Sequence, residues 1–320
     1  RGILNAEAIA KTKKGVRIIN CARGGLVDEA ALAEAIKSGH VAGSGFDVFE
    51  TEPATESPLF GLENVVCTPH LGASTTEAQE NVALQVADQM SDYLLKGAVT
   101  NAINMPSISA DEAPRLKPVI KLAEVLGGFA GQVTESPIKQ VEVLYDGIFA
   151  DMNTTALTSA MLAGLLRPVV ADVNMVSAPI MVKDKGIILQ EAKRDKSGVY
   201  DGYIKLTITT EKQTRSVAGT VFSDGKPRFI QIKGINMDAD VGRHMIYIAN
   251  TDVPGMIGFM GSTLGDAGVN IANFQLGRDN QGGDAIALLY VDEEPKQEVL
   301  DKLLAHPAIK QAKPLEFAVE

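Results

Sequence analysis

The stretch Arg17–Ile36, RIINCARGGLVDEAALAEAI, decides how the first third of the chain is read. Its start belongs to an apolar run, Val16–Asn20, that reads as a buried strand. Asp28 is placed to cap a helix over Glu29–Lys37, in which Ala31, Leu32, Ala35 and Ile36 share one face and which Gly39 closes. Val41–Phe49 and Glu63–Thr68 are two more short apolar runs. Strand, helix and strand, with nearly continuous apolar strands, predict a parallel sheet inside an α/β domain.

Between the first strand and its helix stands Arg23, followed at once by Gly24 and Gly25. An unpaired guanidinium at the mouth of a core costs several kcal/mol, so the reading expects an anion to meet it. In an open parallel sheet, ligands bind outside the carboxyl ends of the strands. Arg23 follows the first strand, Asp47 falls within the second near its end and Glu52 after it, and His70 follows the third. Taken singly, each has an ordinary reading: a helix cap or surface ion pair for Arg23, a turn for Asp47, a solvated loop for Glu52, a structural histidine for His70. Taken together they suit a 2-keto acid. Arg23 can hold its carboxylate through a planar fork. His70 can protonate the carbonyl oxygen, or remove the hydroxyl proton in reverse. Glu52 can fix the ring, Asp47 can accept from a nicotinamide carboxamide, and the paired glycines allow close backbone approach to a cofactor.

The totals narrow the classes. The 320 residues leave room for two or three domains, and the net charge of −10 argues against a nucleic-acid surface. No apolar run approaches the roughly 18–20 residues that span a bilayer. Cys21 and Cys67 each sit in or beside a strand pattern, as free thiols of a reducing cytosol do, so a cytoplasmic protein is expected, with no metal site.

Three parts are expected. Residues 1–105 hold the sheet just described and end in a long helix from about Thr75, with Ser74 and Glu77 as its capping box and Gly97 as its stop. Residues 109–240 open on a second capping box, Ser109 and Glu112. They continue as an α+β unit with a helix over 116–131, a strand over 138–147, a helix over Thr154–Leu166 that extends into 167–179, and a hairpin of Thr214–Phe222 with Arg228–Lys233. Residues 243–320 read βαββαβ, the ferredoxin-like order. Arg1 already lies within a helical pattern, which reads as the C-terminal part of something longer.

The segments NCARGGLVDEAAL, GFDVFETEP and CTPHLGAST together resemble the D-isomer-specific 2-hydroxyacid dehydrogenase family. The later run ANTDVPGMIGFMGSTLGDAGVNIANFQLGR is similar to its long members, which add an intervening domain and a C-terminal ACT domain. The resemblance implies an α/β fold with a partial Rossmann-type sheet, then an α+β intervening domain over 109–240 and a ferredoxin-like ACT domain over 243–320. It implies catalytic roles for Arg23, Glu52 and His70. It also implies NAD contacts at Cys21, Ala22, Asp47 and His70, and at Leu71, Gly72 and Ala73. The implied reaction is NAD-dependent oxidation of 3-phospho-D-glycerate to 3-phosphooxypyruvate, the first step of L-serine biosynthesis, by a homo-oligomer. An L-serine effector is implied at Asn250, Asp252, Pro254, Gly255 and Asn270. Basic residues of the middle unit, Arg215, Lys226, Arg228, Lys233 and Arg243, read either as an anion site or as the open face of a sheet. The chain departs from the family's pattern in one large respect: no GxGxxG loop opens a helix in it, since Gly43–Asp47 lies in a strand, and most of the family's substrate domain has no counterpart in these residues either. The 320 residues alone are therefore expected to be inactive. The alternatives are an ACT-type binding and oligomerisation module without catalysis, or a related enzyme such as a hydroxypyruvate or glyoxylate reductase.

Overall fold

The computed structural model describes residues 1–195 and 198–318, which fall into two compact units, Arg1–Met90 and Ser91–Glu320. In the first unit, α1 (Ala6–Ala10) precedes β1 (Val16–Asn20), α2 (Glu29–Lys37), β2 (Val41–Phe46) and β3 (Val65–Cys67). The strands form a parallel sheet in the order β1-β2-β3. Asp28 caps α2 by accepting from the Ala31 N–H at 2.9 Å, and Gly39, at φ 74°, turns the chain after it. Leu32, Ala33 and Ile36 of α2 pack with Ile9, Ile18, Val41, Phe46, Phe49 and Leu59 on one face of the sheet.

Two expectations change here. The strand that begins at Val41 stops at Phe46, so Asp47 lies just beyond it rather than inside it. β1 is buried on one face only: Ile18 is 7% exposed and Ile19 75%, and Val66 of β3 is 70% exposed. The helices of this unit cover a single face, so alternate side chains of apolar strands point to solvent within it.

The long helix α3 (Thr76–Lys96) crosses the division between the units and buries none of its residues. The Thr75 hydroxyl, not Ser74, caps it, accepting from the Ala78 N–H at 3.1 Å. No helix among the described residues is long and apolar enough to cross a membrane.

The second unit continues with α4 (Ala113–Val133), β4 (Ile138–Gly147), α5 (Thr154–Leu166), α6 (Ser177–Asp184), β5 (Ile188–Arg194), β6 (Gly202–Thr210), β7 (Thr214–Val221), β8 (Pro227–Ile232) and β9 (Ile235–Asp240). It ends with β10 (His244–Thr251), α7 (Met256–Asp266), β11 (Ile271–Arg278), β12 (Asp284–Val291), α8 (Gln297–Leu304) and β13 (Ile309–Glu316). The Ser109–Glu112 capping box forms in both directions: each backbone N–H meets the other side chain, both at 3.2 Å. Six strands make one sheet, β5-β4-β6-β7-β8-β9, in which only β4 and β5 run parallel. β5 escapes a pattern reading because all seven of its residues are exposed and no apolar alternation marks them. The helix expected to run past Leu166 instead ends there, and α6 starts afresh at Ser177.

The last four strands pair antiparallel as β11-β12-β10-β13, the ferredoxin-like order for βαββαβ. One face of this sheet packs on α7 and α8 through Ile246, Ile248, Met260, Leu264 and Leu303. Its other face joins the core of the six-stranded sheet, where Phe129 of α4 meets Tyr247 edge-on at 5.5 Å and Phe229 at 5.3 Å.

α4 and α5 touch through glycines. A Cβ on Gly127 would lie 1.9 Å from the Met161 carbonyl oxygen, and one on Gly164 would lie 2.3 Å from that of Glu124. In a free helix, Gly127→Ala would stabilise by about 1 kcal/mol through propensity. Here the methyl meets backbone, so we expect the substitution to destabilise the chain by ~1–3 kcal/mol, read as a lower urea midpoint for the Ser91–Glu320 unit. A raised midpoint would show that the helices do not pack this closely.

Candidate active site

Parallel register builds the rim. Asn20, Phe46 and Cys67, the last residues of β1, β2 and β3, stand in one line across the sheet. The residues that follow, Cys21, Asp47 and Thr68, therefore leave the sheet side by side. Backbone bonds continue the line: Asp47 N–H donates to the Asn20 carbonyl at 3.0 Å, and Thr68 N–H to that of Phe46 at 2.9 Å.

The Arg23 loop is organised from below by Asn20, which is 5% exposed. Its side-chain oxygen accepts from the Ala22 N–H at 3.2 Å, and its amide donates to the Arg23 carbonyl at 3.1 Å. Gly24 then passes hard against the second connection, where a Cβ would lie 1.7 Å from the Phe49 carbonyl oxygen. No other residue fits there, and the contact holds the arginine loop beside the loop that carries Glu52. Gly25, at φ 72°, completes the turn. The Arg23 side chain is exposed, and its Nη1 donates to the Ala22 carbonyl at 2.7 Å. The guanidinium thus stays in water, and the burial penalty inferred from the sequence does not arise. What remains is a cation at a strand end with most of its donors turned outward. Cys21 is an exposed free thiol beside it, and Ala22 is exposed as well.

Glu52 and His70 form a pair. The imidazole Nδ1 lies 2.6 Å from Glu52 Oε2, while Glu52 Oε1 accepts from the Phe49 N–H at 2.9 Å. The Phe49 N–H and then the His70 hydrogen bond hold the Glu52 carboxyl below the usual glutamate value. An ionised carboxylate only accepts, so Nδ1 carries the proton that meets it, and Nε2 is the ring nitrogen that Glu52 does not engage.

Asp47 sets where that histidine sits. It is 5% exposed and accepts from the Thr68 hydroxyl at 2.6 Å, the Leu71 N–H at 2.6 Å and the Gly72 N–H at 2.8 Å. These donors, the Thr68 hydroxyl first, hold its carboxyl below the ordinary aspartate value. His70 adopts φ 60°, a left-handed conformation that costs a non-glycine residue roughly 1–3 kcal/mol. The two N–H groups that bind Asp47 come from the residues directly after it, so the carboxylate offsets that strain by clamping the turn. Oδ1 accepts two donors and Oδ2 one, which leaves Oδ2 a lone pair for a carboxamide. Leu71, Gly72 and Ala73 are exposed along the same rim. Asn20 and Thr68 join the site without any motif that marks them in the sequence. Their only mark there is a small polar residue closing an apolar strand.

The residues expected to hold an effector lie in the second unit and are dispersed. Asn250 is 2% exposed; its amide donates to the Thr251 carbonyl at 2.8 Å, and its Oδ1 has no partner among the described residues. Asn250 lines a cavity of about 510 Å³ together with Arg215, Lys233, Asp284 and Lys310. Asp252, expected to meet an ammonium, already accepts from Arg278 at 2.7 Å and from the Gly282 N–H at 3.2 Å. Pro254 precedes Gly255, which starts α7 at φ 89°. Asn270 donates to Asp292 at 2.7 Å. Of the basic residues, Arg228 pairs with Asp240 at 2.9 Å and Arg243 with Glu316 at 3.8 Å, while Lys226 stands outside the residues that line this cavity.

Residues 1–72 match the family of D-isomer specific 2-hydroxyacid dehydrogenase NAD binding domains, and residues 115–233 match the D-3-phosphoglycerate dehydrogenase intervening domain. The chain is 41% identical over 314 residues to a D-3-phosphoglycerate dehydrogenase of Bacillus subtilis, covering 98% of this chain and 60% of that protein. It is 39% identical over 311 residues to one of Methanocaldococcus jannaschii, covering 97% of this chain and 59% of that protein. It thus spans about 60% of the length of these relatives. A solved D-isomer specific 2-hydroxyacid dehydrogenase from Xanthobacter autotrophicus Py2, in complex with NADPH and MES, is 42% identical over 32% of this chain and 41% of that one, with a TM-score of 0.27. The Arg23–His70 rim thus lies in the segment that matches the NAD binding domain of the D-isomer specific 2-hydroxyacid dehydrogenases, and the segment that matches a D-3-phosphoglycerate dehydrogenase intervening domain follows it.

Proposed function

We propose that this chain carries the acid–base half of an NAD-dependent D-3-phosphoglycerate dehydrogenase, which oxidises 3-phospho-D-glycerate to 3-phosphooxypyruvate as the first step of L-serine biosynthesis. The observation that carries the reading is the 2.6 Å Glu52–His70 pair on the same sheet rim as Arg23. Arg23 binds the substrate carboxylate through its free guanidinium edge. His70 Nε2 removes the proton of the C2 hydroxyl, and Glu52 stabilises the imidazolium that results. A bound nicotinamide would supply the hydride acceptor for the C2 hydrogen. Cys21, Ala22, Asp47, His70, Leu71, Gly72 and Ala73 are the residues that would hold it, and the spare lone pair on Asp47 Oδ2 suits its carboxamide.

Asn250 supports a second part of the proposal. A buried amide oxygen without a partner is costly, and the ammonium of L-serine in the adjoining cavity would satisfy it. Asp252 would act through Arg278 rather than on the ligand. Titration calorimetry checks this: L-serine should bind, and Asn250→Ala should weaken it on the order of tenfold. Unchanged affinity would sink the effector reading. Homo-oligomerisation belongs to the same proposal, and light scattering measures it.

Kinetics in a protein of full family length test the catalytic part. His70→Ala should lower kcat by about 10²–10⁴-fold with little change in KM. Arg23→Ala should raise KM for 3-phosphoglycerate on the order of 10–100-fold. A His70→Ala enzyme with unaltered kcat would refute the proton-transfer role.

A pH dependence also follows. Glu52 and Asp47 both have folded values below their ordinary ones. Their stabilisation is therefore complete above the ordinary carboxylate range, near pH ~4–4.5, and is lost as pH falls through the lowered folded values. Urea denaturation between pH 3 and 7 should show this loss, and Glu52→Gln should flatten it. An equally steep acid dependence in that variant would place the effect elsewhere.

A further inference from the structure

The Glu52 loop is anchored at its ends by core residues: Phe49 is 6% exposed and Leu59 0%. Residues 50–58 between them include no fully buried side chain, and Ala54 is the one apolar side chain of the loop that packs, partly buried, against the core, so apolar packing alone does little to fix where Glu52 stands. A single carboxylate spans the loop instead. Glu29 Oε1 accepts from the Glu50 N–H at 2.7 Å, and Glu29 Oε2 accepts from the Ser57 hydroxyl at 2.7 Å. Ser57 Oγ in turn accepts from the Leu59 N–H at 3.3 Å, which ties the carboxylate to the anchored end.

The position of Glu29 suits this task. It is the first residue of α2, where unpaired backbone N–H groups favour a negative charge. It also stands on the connection that carries Arg23, so its two bonds join that connection to the Glu52 loop. The end of β3 lies near as well: burial, aided by the charge of Glu29, pushes the Cys67 thiol up.

We infer that Glu29 is a positioning residue: it holds the Glu50–Ser57 loop in the one arrangement in which Glu52 reaches His70. The inference rests on the proposed catalytic roles of Glu52 and His70 for its meaning, but its test does not. Glu29 touches neither substrate nor cofactor and acts only through Glu52.

The conservative replacement separates positioning from charge. In Glu29→Gln, the amide oxygen can accept from Glu50 and the amide nitrogen can donate to Ser57 Oγ, so both ties survive. In Glu29→Ala both are lost. The chain has four histidines, so ¹⁵N-histidine labelling gives few signals, and His70→Gln assigns the one of interest. We expect the unaltered chain to show a far-downfield Nδ1–H resonance for His70 and a Glu52 carboxyl that titrates below the ordinary glutamate value. Glu29→Ala should lose the resonance and raise the Glu52 titration toward the ordinary glutamate value, while Glu29→Gln keeps both signatures. His40, bonded to the Ile9 carbonyl and the Thr12 hydroxyl in the same unit, reports whether that unit is still folded. If Glu29→Ala also loses the His40 signal, Ser57→Ala decides: it removes one tie and should raise the Glu52 titration part of the way. A Glu52–His70 signature that persists in a folded Glu29→Ala, or is unmoved in Ser57→Ala, overturns the assignment. Because these readouts need no turnover, they stand apart from whether 3-phosphoglycerate is the substrate.

Discussion

The hydrogen-bond register of three short parallel strands is the constraint on which the rest of the site depends. Aligning Asn20 with Phe46 and Phe46 with Cys67 brings three connections, remote in sequence, to one edge. Two of these connections then have their own polar organiser. Asn20 shapes the arginine loop, and Asp47 clamps the turn at His70. Gly24, which lacks a side chain, lets the first two connections touch. A one-residue slip in register would send alternate side chains to the wrong face and separate the three connections.

The acid–base pair is then mainly an electrostatic consequence of backbone placement. Glu52 is kept ionised first by a backbone N–H and second by the imidazole. Asp47 is kept ionised by a hydroxyl and two N–H groups. Neither needs a buried counter-cation, whose desolvation would cost several kcal/mol. The pair stays partly open to solvent, with His70 at 46% and Glu52 at 34% side-chain exposure.

The second unit uses a different device. Its two sheets share a core through α4, whose Phe129 contacts both Phe229 and Tyr247. Glycines at the α4–α5 contact allow the helix backbones to approach until carbonyl oxygens fill the space a methyl would take.

Helix caps, strand periodicity and the βαββαβ order were legible in the residues themselves, because Asp28, Ser109 with Glu112, and alternating apolar runs act over a few positions. β5 was not legible, since an edge strand exposed on both faces carries no alternation. Nor was the solvent-facing side of β1, because apolar sequence records what a strand can bury and not what covers it. For the site, the sequence by itself determined which chemical groups follow each strand: a guanidinium, two carboxylates and an imidazole. Only the tertiary structure decided that Asp47 clamps the turn at His70, that Asp252 is engaged by Arg278, and that Asn20, Thr68 and Glu29 hydrogen-bond to the loops that leave this sheet. Those assignments turn on hydrogen bonds of 2.6–3.2 Å, some between residues twenty or more positions apart, and no local pattern encodes such distances.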